Sequence, residues 1–281
     1  MKLISVLDHL AATPAATPRR ALLGQLGRAA VAALPLGLGA SSAAAGTNDS
    51  SYDAVLQLLQ LERLQIALYT QGLATANLIP TAQQADFQRM LGHQTQHAAL
   101  LLQSLQNAGA LVPASPTFDF SGRRNVAANP VLFPNVFTSF DEFLSLAQQI
   151  EDLGARLYLN HAFNVTFDAP LSRNILRMQP VEAAHAAHVR GLRRSRGAVV
   201  QNWPSEEDAA IVRPTAAQAL TVAATTGENN SVQPVSASVN VPFANFLLIS
   251  KNTAVRDPAL AEAFDEPVSS ASAQAALNLF G

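Results

Sequence analysis

From Ser50 to about Gly197 the apolar residues return every three or four positions, as in Val55, Leu58, Leu59, Leu61, Leu64, Ile66, Leu68 and Leu73. That period belongs to helices that bury one stripe. Start and stop signals cut the stretch into four. Ser50 or Ser51 caps the first helix, which ends before Pro80. Thr81-Ala82-Gln83-Gln84 has the form of a capping box and opens the second, which closes at Asn107-Ala108-Gly109. Ser139-Phe140-Asp141-Glu142 is another such box, predicting a third helix to about Phe163, and Asp168 ahead of Pro170 starts a fourth that fades at Gly197. Each helix has about 25 residues and so spans nearly 40 Å. The outer links are short, whereas the middle one, Ala110 to Thr138, is long and holds Pro113, Pro116, Pro130 and Pro134. Two tight hairpins joined by one long crossover follow: an all-α four-helix bundle over residues 46–200. Beyond it the helical period is lost, and residues 201–281 read as an irregular extension of loops and short helices packed on the bundle.

The first 45 residues follow another pattern. Lys2, Arg19, Arg20 and Arg28 stand against one acid, Asp8; Arg19-Arg20 precedes Ala21-Leu22-Leu23; a mildly apolar run reaches Ala40, and small residues end at Ala45. This is the order of an export signal, and the arginine pair points to the twin-arginine route, which carries proteins already folded. The expected location is therefore exported, periplasmic or secreted. With cleavage after Ala45 the net charge moves from −2 to −5. The apolar run is short of the roughly 20 residues of a membrane span, so no stable membrane anchor is expected after removal of the signal.

Composition narrows the chemistry. Apolar residues make up 49% and charged residues only 14%, which suffices for a sizeable core. With no cysteine, any metal must be held by His, Asp, Glu and similar donors. A weakly acidic chain gives no reason to expect a nucleic-acid partner. The run Arg190, Arg193, Arg194 and Arg196 reads as a solvated helix end placed where cations suit the macrodipole, and His161 at the end of the third helix has the same explanation. No Gly-x-Ser-x-Gly elbow and no Gly-rich phosphate loop occurs.

The strongest signal is an internal duplication. Leu61-Glu62-Arg63-Leu64-Gln65-Ile66-Ala67-Leu68-Tyr69 in the first helix answers Ile150-Glu151-Asp152-Leu153-Gly154-Ala155-Arg156-Leu157-Tyr158 in the third. Gln94-Thr95-Gln96-His97-Ala98-Ala99 in the second answers Glu182-Ala183-Ala184-His185-Ala186-Ala187 in the fourth. The offsets are 89 residues from Glu62 to Glu151 and 88 from His97 to His185, as expected of pseudo-two-fold halves. Residues three apart share a helix face, so Glu182 and His185 can present a carboxylate and an imidazole to one ion. One Glu from each of two helices plus Glu-x-x-His from the other two is a di-metal carboxylate arrangement. Oxygen and imidazole donors suit iron or manganese.

On these motifs, Leu61-Glu62 with Leu68-Tyr69, His93-Gln94-Thr95-Gln96-His97, Glu151 with Tyr158, and Glu182-Ala183-Ala184-His185, the chain resembles the ferritin-like domain family of exported bacterial proteins, some described as desiccation-related. The resemblance covers about residues 50–195, and Ala263-Phe264-Asp265-Glu266-Pro267 is similar to the tail of such proteins. It implies a ferritin-like bundle with Glu62, Gln94, His97, Glu151, Glu182 and His185 as the metal set. Oxidase or peroxide-protective activity is the function it implies, with metal ions as partners and homo-oligomerisation left open.

One position departs from the pattern. Gln94 stands where the second helix should supply a carboxylate, so only three acids face two ions. The expectation is a weakened dinuclear site or a mononuclear one on Glu151, Glu182 and His185. The rival reading is a non-catalytic structural or stress-associated protein with a degenerate site. His93 and His188 are expected outside the ligand set, and Tyr69 and Tyr158 as core residues that reach a polar partner.

Overall fold

A computed structural model describes residues 48–162, 164–165, 167–225, 232–236, 239–242 and 262–281. The export signal read in residues 1–45 lies outside them. The four helices are α1 (Asn48–Ala74), α2 (Thr81–Asn107), α3 (Phe140–His161) and α4 (Ala169–Ser195). Ser139 caps α3 by accepting from the Glu142 N–H, and Asp168 caps α4 by accepting from the Leu171 N–H. The box predicted at Thr81 does not form. Pro80 occupies the cap position and has no N–H to offer, and Gln84 donates instead to the Ile79 carbonyl at 3.1 Å. The α1–α2 turn passes through Asn77 at φ 60°, a left-handed conformation that asparagine tolerates.

Two contacts fix the topology. Ser51 near the start of α1 donates to the Asn164 carbonyl just past α3 (2.8 Å), and His188 late in α4 lies 3.8 Å from Asp86 early in α2. Hence α1 runs antiparallel to α3, and α2 to α4. A bundle with only short loops would make those pairs parallel, so the crossover must travel the bundle's length. It does so as a packed segment: Phe120, Leu132, Phe133 and Val136 are buried. The Phe133 ring stacks on Phe280 at 5.1 Å, and the Asp119 N–H donates to the Phe280 carbonyl at 2.7 Å.

Every residue of α3 from Leu146 to Tyr158 is buried. One side meets the bundle; the other is covered by α5 (Gln218–Thr225) and α6 (Ser270–Leu277). Arg156 joins the two covers, donating to the carbonyls of Glu266 at 2.6 Å and Ala223 at 3.2 Å. The extension also holds a two-stranded antiparallel ribbon, β1 (Val232–Ser236) and β2 (Val239–Pro242), where only loops and helices were expected. Its register shifts between Pro234 and Ser236, next to the proline inside β1. No described helix is long and apolar enough to cross a membrane.

The arginine run is not simply a solvated end. Arg190 is 1% exposed, held by both Asp152 oxygens at 2.7 and 2.8 Å and by Asp208 at 2.5 Å. The segment after α4 folds back and brings Asp208 with it. His161 is likewise buried, and its partner is Gln57 Oε1 at 2.9 Å, with Gln57 Nε2 donating to the Ser270 carbonyl at 2.8 Å. Burial lowers the His161 pKa to about 4, so it is neutral and the macrodipole explanation fails. The unfolded chain takes up this proton near the ordinary value of about 6.5, which the native state refuses until about 4. Stability is therefore lost as pH falls through that window, by up to about 3 kcal/mol. Urea unfolding at pH 7, 5.5 and 4 checks this: His161→Gln should flatten the decline, and an unchanged slope refutes it.

Candidate metal centre

The repeated Glu and Tyr residues are seven apart, two helical turns, and therefore share a face. On the antiparallel pair α1 and α3 this produces a crossed lock: Tyr69 donates to Glu151 Oε1, and Tyr158 donates to Glu62 Oε1. Each helix thus orients the other's carboxylate and leaves its second oxygen, Oε2, without a hydrogen bond. Glu182 enters from α4. Its Oε2 accepts from Gln65 Nε2 at 2.8 Å and Gln94 Nε2 at 3.1 Å, while Oε1 has no hydrogen bond.

The imidazoles complete the set. His97 Nδ1 lies 3.3 Å from Glu62 Oε1 and 3.2 Å from Glu182 Oε1; His185 Nδ1 lies 3.5 Å from Glu151 Oε2 and 3.8 Å from Glu182 Oε1. These approaches lack hydrogen-bond geometry, so both Nδ1 atoms stay unpartnered. The result is two three-residue groups, Glu62–His97–Glu182 and Glu151–Glu182–His185, and within each the ligand atoms lie within 4.8 Å of one another. Glu182 is common to both. His185 Nε2 lies 2.9 Å from His93 Nδ1; with Nδ1 given to a metal, Nε2 would carry the proton and donate, the kind of outer contact that fixes a ligating ring. His93 is exposed, and His188 lies away from the cluster beside Asp86.

Glu62, Glu151 and Glu182 are fully buried. Burial first, and then the Glu182 charge, raises the Glu62 pKa to about 8. Burial opposes charge on His97, but the close approach of the Glu182 and Glu62 carboxylates outweighs it and raises His97 to about 10. Burial also raises Glu151, only partly offset by His185. Glu182 moves the other way: burial is outweighed by His97 and His185 beside it. Protons on Glu62 and His97 thus do at neutral pH what a cation would do. Three carboxylates and two imidazoles gathered in this way, each with one atom free of hydrogen bonds, fit a hard or borderline divalent ion.

All six predicted residues come together, but Gln94 has a different part. It is fully buried and acts as an N–H donor that positions Glu182, while its Oε1 has no hydrogen bond. Gln65 was not foreseen in this role. The signal for it is the place where the duplicated strings disagree, Gln65 against Gly154. A Cβ at Gly154 would stand 2.9 Å from Glu182 Oε2 and 3.2 Å from Gln65 Nε2, so the missing side chain makes their room. Gly154→Ala should leave the helix intact and displace Glu182, weakening metal affinity about tenfold. Calorimetric titration with Co(II) measures this, and unaltered affinity would show the glycine to be incidental.

Fold and site together define a four-helix bundle with a carboxylate and histidine cluster between its helices. Residues 52–195 match the family model of the ferritin-like domain, and the chain belongs to that family. No curated protein is significantly similar to it.

Proposed function

We propose that this protein binds iron or manganese between α1, α2, α3 and α4, and that the loaded centre protects against peroxide or acts as an oxidase. The observation that carries the reading is the gathering of buried carboxylate and imidazole ligand atoms into two groups that share Glu182, each within 4.8 Å. Glu62, His97 and Glu182 would hold one ion, and Glu151, Glu182 and His185 a second. Bound iron or manganese would supply one-electron chemistry toward dioxygen or peroxide. The chain's own part is to orient Glu62 and Glu151 through Tyr158 and Tyr69, to seat Glu182 through Gln65 and Gln94, and to keep the carboxylates from bulk water. Purified protein is stripped of metal, offered Fe(II) under anaerobic conditions, washed and then exposed to air. Retained iron with growth of near-ultraviolet absorbance is expected; no retention by elemental analysis sinks the proposal.

A second reading, a structural or stress-associated protein that kept the fold without the chemistry, is favoured by one observation: Gln94 places a neutral amide where a fourth charge would stand. On that reading Glu151→Leu with His185→Leu is neutral or stabilising, and no metal raises the melting temperature. We further propose export in the folded state through the segment containing Arg19 and Arg20, with metal acquired beforehand. Loss of export on changing both to Lys supports this; unaffected export counts against the route.

A further inference from the structure

An open cleft of about 540 Å3 lies between α2 and α4, and of the six candidate ligands only His97 borders it. The three carboxylates are fully buried, whereas 13% of the His97 side chain is accessible, against 6% for His185. The cleft is thus an approach by which solvent reaches the centre. Its remaining wall is mixed, with Gln96, Gln103, Asn174 and Arg177 beside Ala99, Leu100 and a buried Met178. Among the described residues no acid lines it, and Arg177 is exposed without an ion pair. A lone cation over an entrance without acids favours anions.

Charge counting at the centre points the same way. As metal ligands Glu62, Glu151 and Glu182 would give up their protons and supply three negative charges, and the fourth member, Gln94, is neutral. Two divalent ions would leave an excess of one positive charge in a buried site, which is costly without a counter-charge. Gln94 still fills the space of the missing carboxylate, so a compensating anion cannot stand there, and its way in is the accessible side, past His97.

We propose that the α2–α4 cleft admits a small monoanion of the carboxylate or bicarbonate class, which supplies the charge Gln94 withholds and is steered by Arg177. This rests on the metal reading above. The half-site of Glu151, Glu182 and His185 takes an ion unaided, and the half-site at His97 fills when the anion is present.

Co(II) titration of the metal-free protein in a sulfonate buffer, followed by calorimetry and visible absorbance, tests this with acetate or bicarbonate added or left out. Expected is one tight equivalent in either condition, and a second whose affinity rises about tenfold or more with anion. Arg177→Gln should remove most of that gain, and Gln94→Glu should take two equivalents with no added anion. A second equivalent indifferent to both anions, with water supplying the charge as hydroxide, overturns the inference and leaves the metal reading standing. So does a gain untouched by Arg177→Gln. Absence of Co(II) uptake by wild type and Gln94→Glu alike overturns both.

Discussion

Glu182→Gln is expected to abolish metal uptake altogether, whereas Glu62→Gln and Glu151→Gln each remove one equivalent. Glu182 is the residue common to both groups, so its loss takes a charge from each. Gln is nearly isosteric and can still accept from Gln65 and Gln94, so the packing survives. Without metal the variant also loses a charge that disfavours ionised Glu62. Its metal-free stability should therefore lie within about 1 kcal/mol of wild type, since like charges are relieved as His97 and His185 lose a partner. The readout is paired: binding stoichiometry by elemental analysis, and melting temperature with and without Co(II). Wild type should gain stability from saturating metal, by about 3 kcal/mol at a hundredfold excess over Kd; the variant should gain none. Retention of two equivalents would show that Glu182 does not bridge the half-sites.

The largest loss of stability is expected from Arg190→Met. Its guanidinium lies between Asp152, 1% exposed, and Asp208, and removing it strands a carboxylate in the core. Burial already disfavours the charged form of Asp152, and Arg190 is the main group working against that. Breaking one side of such a buried arrangement costs about 3–5 kcal/mol, or roughly 10 °C of melting temperature in a domain of this size. The double change Arg190→Met with Asp152→Leu should recover most of the loss, because an apolar pair of similar volume carries no stranded charge. A single-variant loss under about 1 kcal/mol would mean that water reaches Asp152. Neither residue belongs to the proposed ligand set, so metal stoichiometry should be unchanged in the double variant.

The bundle was legible because helices of this length carry many turns of the same period, and because two of the caps, Ser139 and Asp168, are residues with strong local preferences. The centre was legible through duplication: residues with ligand atoms recur at offsets of 88 and 89, and the antiparallel α1–α3 pair turns that repetition into a crossed lock. What local patterns could not carry is what distant chain segments do. Arg190 read as a helix-end cation because nothing near it in sequence announces Asp208, and Asp152 lay in a repeat whose other copy has Arg63. His161 read as a charged group at a helix terminus because the residue that buries it, Gln57, is 104 positions away. The proline at position 80 overrode a capping box of good sequence form, since a residue without an N–H at the cap changes which partner Gln84 can find.

The clasp between Phe280 and the crossover has a temporal side. α3 supplies Glu151 to the centre, but its outer face is covered by α5 and by residues from Glu266 onward, and Gln57 in α1 waits for Ser270, 213 positions later. A ribosome making this chain from its N-terminus can release both hairpins while the outer flank of α3 is still bare. Bundle closure, and with it a rigid cradle for metal, is then a post-translational event. Cofactor loading should therefore trail synthesis, and truncation before residue 262 should yield chains that a cell's proteases remove before any ion is bound.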